Sequence, residues 1–371
     1  MDLELSEDQK MLKAMAREFL VKECPMKFIR EMEESEQGYS PEVWRKMMEL
    51  GLQGLPFPEE YGGGGGSFLD LIVLLEEMGR ACLPGPFFSS VVLGGLAILA
   101  AGNEEQKKQL LSAIAEGKIC TLALNESDGA YSAGSIETQA TADKDDYVIS
   151  GTKWFVPDAH IADYILCVAR TGEKGITIFI VDAESQGISY TILDTIAGDK
   201  QCEVVFDKVR VSKDNILGEL DKGWEIVEKT LQYAAVAKCG ELVGAAEQVL
   251  EMSVNYAKER IAFDHPIGSF QAIQHYCASA KVDSDGIRLQ TYLAAWMLSA
   301  GLPADKQVSI AKTWVGEAYR RVTAVGHQIH GSIGYTLDHD MQLYFRRGKA
   351  AEALFGDADF HREAIACELG L

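Results

Sequence analysis

Gln328-Ile329-His330-Gly331-Ser332-Ile333-Gly334-Tyr335, then Arg346-Arg347, then Phe355-Gly356-Asp357: the reading of this stretch decides the fold of the chain. It comes after a segment, 304–330, whose pattern predicts a helix, and another helix is expected from about 340. His327, His330 and His339 raise a metal reading, but no carboxylates accompany them in a ligand-motif arrangement, and no metal is expected. Arg346, Arg347 and Lys349 form the densest basic cluster, suited to a phosphate or to an exposed helix face.

Working outward, the chain reads as helix from Trp224, with Leu242, Ala246, Val249, Leu250, Ser253 and Ala257 on one face, and a further helix fits 270–300. The middle has a different character. Ile176–Val181 reads as a strand between Gly175 and Asp182, Val205–Val211 alternates as a half-buried strand should, and Tyr147–Val156 reads as strand around a turn at Ser150-Gly151. The beginning is helical: Ser6 with Gln9 is a capping box, and Ser40-Pro41 starts a helix that Gly51 closes. The run Gly62–Gly66 has no Lys-Ser/Thr after it and no strand before it, so it is expected to be a plain flexible loop rather than a phosphate loop. The expected fold class is α+β: an N-terminal helical domain (1–121), a middle β domain (122–224) and a C-terminal four-helix bundle (225–371).

With 371 residues the chain can bury a large core. Its net charge of −21 disfavours nucleic acid or an anionic membrane as main partner, while leaving room for a small anionic ligand in a local basic pocket. Its 8 cysteines form no C-x-x-C pair and are expected to be reduced core thiols. The run Val91–Ala101 is about half the roughly 20 residues of a membrane-spanning helix. The N-terminus is acidic where a signal peptide would be basic, so a cytoplasmic protein is expected.

The opening stretch resembles the C-terminal signature of the acyl-CoA dehydrogenase family, a Gln-x-x-Gly-Gly-x-Gly turn and an Arg that lead into Tyr-Glu-Gly-Thr. Five further segments resemble the family in order: Pro58–Gly63, Gly151-Thr152-Lys153-Trp154, Phe206–Val211 ending at Leu217-Gly218, Arg260-Ile261-Ala262-Phe263, and Ile267–Gln271. The resemblance implies the acyl-CoA dehydrogenase fold, an FAD cofactor between two subunits, an acyl-CoA substrate and reoxidation by an electron-transfer flavoprotein. It assigns the FAD adenosine and pyrophosphate, held for a neighbouring subunit, to Arg260, Phe263, Gln271, Gln328 and Gly331, and a flavin-shielding ring to Trp154. Arg pairs with a diphosphate as a charge-assisted donor, and Phe offers an apolar face.

The departures from the family lie on the side that serves the chain's own flavin. Leu124–Tyr131 lacks the Ala-Gly-Ser-Asp tail of the family's loop, and Val156 stands where a Ser or Thr would bond flavin N5. Counted from Arg347, Phe355 takes the Tyr position and Gly356 that of the Glu base that removes the substrate's α-proton. The base position that some members use on the helix before Arg260 is Ala234. Asp357 and Glu241 are the remaining carboxylates to consider, so the catalytic residue is left open. This pattern resembles the small, complementary subunit of heteromeric acyl-CoA dehydrogenases such as pimeloyl-CoA dehydrogenase. The implied function is a subunit that completes a partner's FAD site in a heterotetramer. The alternatives are a self-sufficient homotetramer with a non-standard base and a non-redox acyl-CoA-binding or assembly protein.

Overall fold

A computed structural model describes residues 4–173 and 175–371 of the chain. The chain divides into two compact units, one of Met1–Glu31, Ser67–Leu83 and Ala235–Leu371, the other of Met32–Gly66 and Pro84–Ala234.

The first unit is helical: α1 (Glu7–Glu23), α2 (Phe68–Arg80), the part of α3 (Gly223–Glu259) from Ala235 on, α4 (Gln271–Ser299), α5 (Asp305–His330), α6 (Met341–Ala353) and α7 (Ala358–Glu368). The Ser6/Gln9 capping box starts α1. In α3, Leu242, Ala246, Val249, Ser253 and Ala257 are buried as their spacing predicts. Backbones of α2 and α3 touch, because a Cβ on Gly244 would lie 1.7 Å from the Glu76 carbonyl and one on Gly79 would lie 1.9 Å from that of Glu241. Glycine at both positions is what permits the approach. Glu76 is fully buried and is satisfied by Lys13, by Arg288 at 2.7 Å and by the Tyr292 hydroxyl at 2.6 Å. A buried carboxylate needs that many partners.

The second unit carries an eight-stranded sheet of β1 (Cys120–Ala123), β2 (Gln139–Asp143), β3 (Asp146–Pro157), β4 (Tyr164–Arg170), β5 (Ile176–Asp182), β6 (Ile188–Leu193), β7 (Gln201–Ser212) and β8 (Ile216–Leu217). The order is β6-β7-β3-β2-β4-β5-β8, with β1 parallel to β4. Ile149, Val156, Phe179, Val204, Phe206 and Val209 centre its core.

Two expectations need correction. Ser150-Gly151 is not a turn: β3 runs straight through it, with a register shift against β7 between Ile149 and Gly151. The glycine run is not a plain flexible loop either. Gly63, Gly64, Gly65 and Gly66 donate backbone hydrogen bonds to Pro58, Gly54, Phe57 and Leu55, and a Cβ on Gly63 would sit 2.1 Å from the Phe57 carbonyl. The glycines are there for close packing, and those amides are not left for a phosphate. None of the eight cysteines is in a disulfide, and six of them are buried. Among the described residues no helix is long and apolar enough to cross a membrane.

Candidate functional site

The C-terminal end of α3 leads into a tight hairpin in which Ile261–Ala262 pairs antiparallel with His265–Pro266. Its two turn residues, Phe263 and Asp264, both have positive φ (52° and 63°). Such turns favour Asn-Gly, and a phenylalanine there is strained. The strain presents the ring: Phe263 is 87% exposed and lies edge-on to Phe270, 6.2 Å away between ring centroids. One turn back along α3, Tyr256 stacks on His330 at 4.6 Å, which ties this end of α3 to the end of α5. Gly331 ends α5 at φ 63°, ψ −143°, with open space where a Cβ would be. Arg260, Gln271 and Gln328 are exposed, and none of their side chains has a described hydrogen-bond or ion-pair partner. The structure therefore gathers the predicted Arg260, Phe263, Gln271, Gln328 and Gly331 into one helical unit, with unmet donors and an offered ring.

The histidines beside this corner serve packing. His330 Nδ1 lies 2.8 Å from the Gly326 carbonyl, and the His327 ring stacks on Tyr335 at 4.5 Å. Among the described residues no cluster of His, Cys, Asp and Glu is placed to hold a metal. The basic cluster is committed internally as well. Arg347 donates to the carbonyl of Cys82, Arg346 to Gln342 at 2.6 Å and Lys349 to Glu352 at 2.9 Å.

In the β unit, the predicted flavin side is shaped by a bulge in β3. Its register against β7 shifts between Lys153 and Val156, where Phe155 takes φ 52°. An extra residue re-aims the residues beyond it, and Val156 ends up 1% exposed inside the sheet core. Trp154 is half-buried, its backbone N–H donating to the Asn125 carbonyl and its ring tilted against Phe155. The loop after β1 is anchored by a buried ion pair: Lys153 donates to Glu126 at 2.6 Å and to the Leu124 carbonyl, and Glu126 also accepts the N–H groups of Glu137 and Thr138. Burial opposes ionisation of Glu126, but Lys153 and the two amides outweigh it and hold the carboxyl below its ordinary range.

The linker 354–357 between α6 and α7 holds the position that resemblance assigns to the base. Phe355 and Gly356 both have positive φ, 61° and 93°. A Cβ at Gly356 would meet the Phe360 ring at 2.4 Å and His361 Nε2 at 3.0 Å, so the space for a side chain is already filled. Buried Lys312 donates to three carbonyls, those of Ala351 (3.0 Å), Glu352 (3.0 Å) and Gly356 (2.9 Å). His361 lies 3.0 Å from the Phe355 carbonyl through Nε2 and 3.2 Å from the Ser309 hydroxyl through Nδ1. Asp357 caps α7 by accepting the Phe360 N–H at 2.9 Å. Glu241 pairs with Lys238 at 2.6 Å, and Ala234 is fully buried. Sequence reasoning missed Lys312 and His361. The available signal was a lysine set among the buried Val308, Ala311 and Val315 of α5.

Exposed Arg, two exposed amides, an open glycine turn and a projecting aromatic ring form a donor set that fits a dinucleotide diphosphate and its base, as FAD has. The comparisons with known proteins bear on the fold and the family. Models described as the N-terminal, middle and C-terminal domains of acyl-CoA dehydrogenase match residues 6–118, 121–209 and 221–370. The acryloyl-CoA reductase (NADH) of Anaerotignum propionicum is 32% identical over 100% of this chain and 96% of its own length. The butyryl-CoA dehydrogenase of Megasphaera elsdenii superposes with a TM-score of 0.94 at 28% identity, over all of both chains. A chain of the ChsE4-ChsE5 complex from Mycobacterium tuberculosis does so with a TM-score of 0.91 at 28% identity, over 100% of this chain and 99% of that one. This chain belongs to the acyl-CoA dehydrogenase family. Its members are FAD-dependent oxidoreductases acting on CH–CH bonds, and the fold is theirs: an N-terminal helical, a middle β and a C-terminal helical domain.

Proposed function

We propose that this chain is one subunit of a heteromeric acyl-CoA dehydrogenase, a flavoprotein that desaturates the α,β-bond of an acyl-CoA thioester. Arg260, Phe263, Gln271, Gln328 and Gly331 hold the diphosphate and adenosine end of the FAD that serves a partner subunit. When bound, FAD supplies the acceptor for the substrate's β-hydride. Gly356 stands at the base position of this chain's own site, where it provides no carboxylate. The observation that carries the reading is the contrast between an open, unpartnered half-site around Phe263 and a base position whose side-chain space is filled by Phe360 and His361. The likeness to a chain of the two-component ChsE4-ChsE5 complex supports it.

A self-sufficient homotetramer needs a base in this chain. Asp357 is bound as a helix cap and Glu241 is paired with Lys238, so the geometry favours the heteromeric reading. What this chain retains for an acyl-CoA in its own site is the Gly356 N–H, which needs no side chain to meet a thioester carbonyl. Among the described hydrogen bonds none uses that N–H as donor. The related small subunits suggest a bulky or dicarboxylic acyl group, electron-transfer flavoprotein as the oxidant of the reduced FAD, and a cytoplasmic setting.

The test is the FAD-to-chain ratio of the protein purified alone and with its partner. A ratio near zero alone that rises with the partner is expected. A stoichiometrically yellow homotetramer whose flavin is reduced by an acyl-CoA sinks the reading, and absence of flavin in every combination points to the non-redox alternative.

A further inference from the structure

The carbonyls on both sides of the Gly356 amide are held by side chains that the proposed function leaves without a role. His361 meets the Phe355 carbonyl, which belongs to the same peptide group as the Gly356 N–H, and Lys312 meets the Gly356 carbonyl, one peptide further on. The peptide is trans, so its N–H points away from its carbonyl and therefore away from His361. The Phe355 oxygen can only accept, so Nε2 of His361 carries the proton, and Nδ1 accepts from the Ser309 hydroxyl. A chain of donors thus runs from the Ser309 hydroxyl through the imidazole to the peptide carbonyl, and each bond polarises the next. Lys312 spends three N–H donors on three carbonyls, which matches the full capacity of an ammonium. Burial pushes the His361 ring down to about 4 and so keeps it neutral, as this tautomer requires.

We propose that Lys312 and His361 are positioning residues that hold the Phe355–Gly356–Asp357 backbone so that the Gly356 N–H is aimed, and polarised, as the donor for the carbonyl oxygen of an acyl thioester. The proposal rests on the reading that this subunit receives an acyl-CoA. It adds that the subunit lost its base but kept a built carbonyl-recognition group, so that it binds the thioester without turning it over. The positive φ of Phe355 is the backbone strain that this clamp maintains, and glycine at 356 takes its own positive φ without strain.

The test is hydrogen exchange of peptides covering 352–360 in the purified complex, read by mass spectrometry, with octanoyl-CoA or CoA alone as probe. In the native protein octanoyl-CoA is expected to slow exchange at the Gly356 amide by about tenfold, the worth of one hydrogen bond, and CoA alone is not. His361→Leu and Lys312→Met are expected to speed basal exchange across the linker by about tenfold and to abolish the protection. His361→Gln, whose amide nitrogen reaches the place of Nε2, is expected to keep both and shows that folding is intact. If protection in His361→Leu and Lys312→Met equals that of the native protein, the positioning role is wrong. If octanoyl-CoA protects nothing in the native complex, the reading that this subunit receives an acyl-CoA fails, and the proposal with it, whatever the variants do to basal exchange.

Discussion

The corner at the ends of α3 and α5 and the linker between α6 and α7 belong to the same helical unit, and they are built in opposite ways. At the corner a strained phenylalanine, Phe263, is thrown outward, and its polar neighbours Arg260, Gln271 and Gln328 have no described partners. At the linker a strained phenylalanine, Phe355, lies half-buried and the polar side chains around it are engaged, Lys312 three times over, while the Gly356 N–H has no described acceptor. Similar backbone strain thus marks a surface with exposed, unmet side chains and a segment whose side chains are bound internally. Unmet side-chain donors, rather than strain, tell the two apart.

The largest effect expected is at the β3 bulge, which holds the third strained phenylalanine, Phe155. Lys153→Met leaves Glu126 buried without its cation, a loss of about 3–5 kcal/mol in denaturant unfolding. The double variant Lys153→Met/Glu126→Leu should recover much of it. If the single variant costs under about 1 kcal/mol, the ion pair does not anchor the 124–138 loop.

Gly356→Glu tests whether the linker is merely missing a carboxylate. Strain at positive φ and overpacking against Phe360 together predict a loss of about 2–4 kcal/mol with no gain in flavin reduction. A stable Gly356→Glu variant that oxidises an acyl-CoA would erase the contrast between corner and linker.

The linker also predicts an acid response. His361 is buried and its folded value falls from 6.5 to about 4, so between these values the unfolded chain binds more protons than the folded one. Stability should fall as pH drops through that window, by up to about 3 kcal/mol, and His361→Gln should flatten the slope. An identical slope in the variant would place the acid sensitivity elsewhere.

At the corner, Arg260→Ala removes a charge-assisted donor, worth about 1.5–3 kcal/mol, or roughly ten- to a hundredfold in FAD affinity of the complex. Unfolding should hardly change, because Arg260 is exposed and has no described partner. Unchanged FAD content would show that the corner is not a cofactor half-site.

How much of this could be read in advance differed between the two regions for a physical reason. The corner is a local matter: Arg260, Phe263 and Gln271 fall within one helix–hairpin–helix segment, which the resemblance to the family could assign residue by residue. The linker depends on contacts distant in sequence, Lys312 with Gly356 and His361 with Ser309, which no local pattern encodes. The helices were legible from caps and apolar faces, as at Ser6/Gln9 and Leu242–Ala257. Ser150-Gly151 misled because a dipeptide that signals a turn also suits an irregularity inside a long strand. The run Gly62–Gly66 misled because glycine permits close packing as readily as mobility.

The smallest effect is expected at Asp357, the residue that would most change the picture if it acted as a base. Its carboxylate accepts the Phe360 N–H at the start of α7, the ordinary work of a helix cap. Asp357→Ala should therefore cost about 1 kcal/mol of stability, and Asp357→Asn, which keeps a capping oxygen, almost none. Neither should change the rate at which an acyl-CoA reduces the flavin of the complex. A base works through its ionised carboxylate, so Asp357→Asn would be the damaging change if Asp357 took the α-proton, with a loss of about 10²- to 10⁴-fold and stability intact. That result would move the linker into the catalytic machinery and leave the corner as one half of an ordinary homotetrameric site.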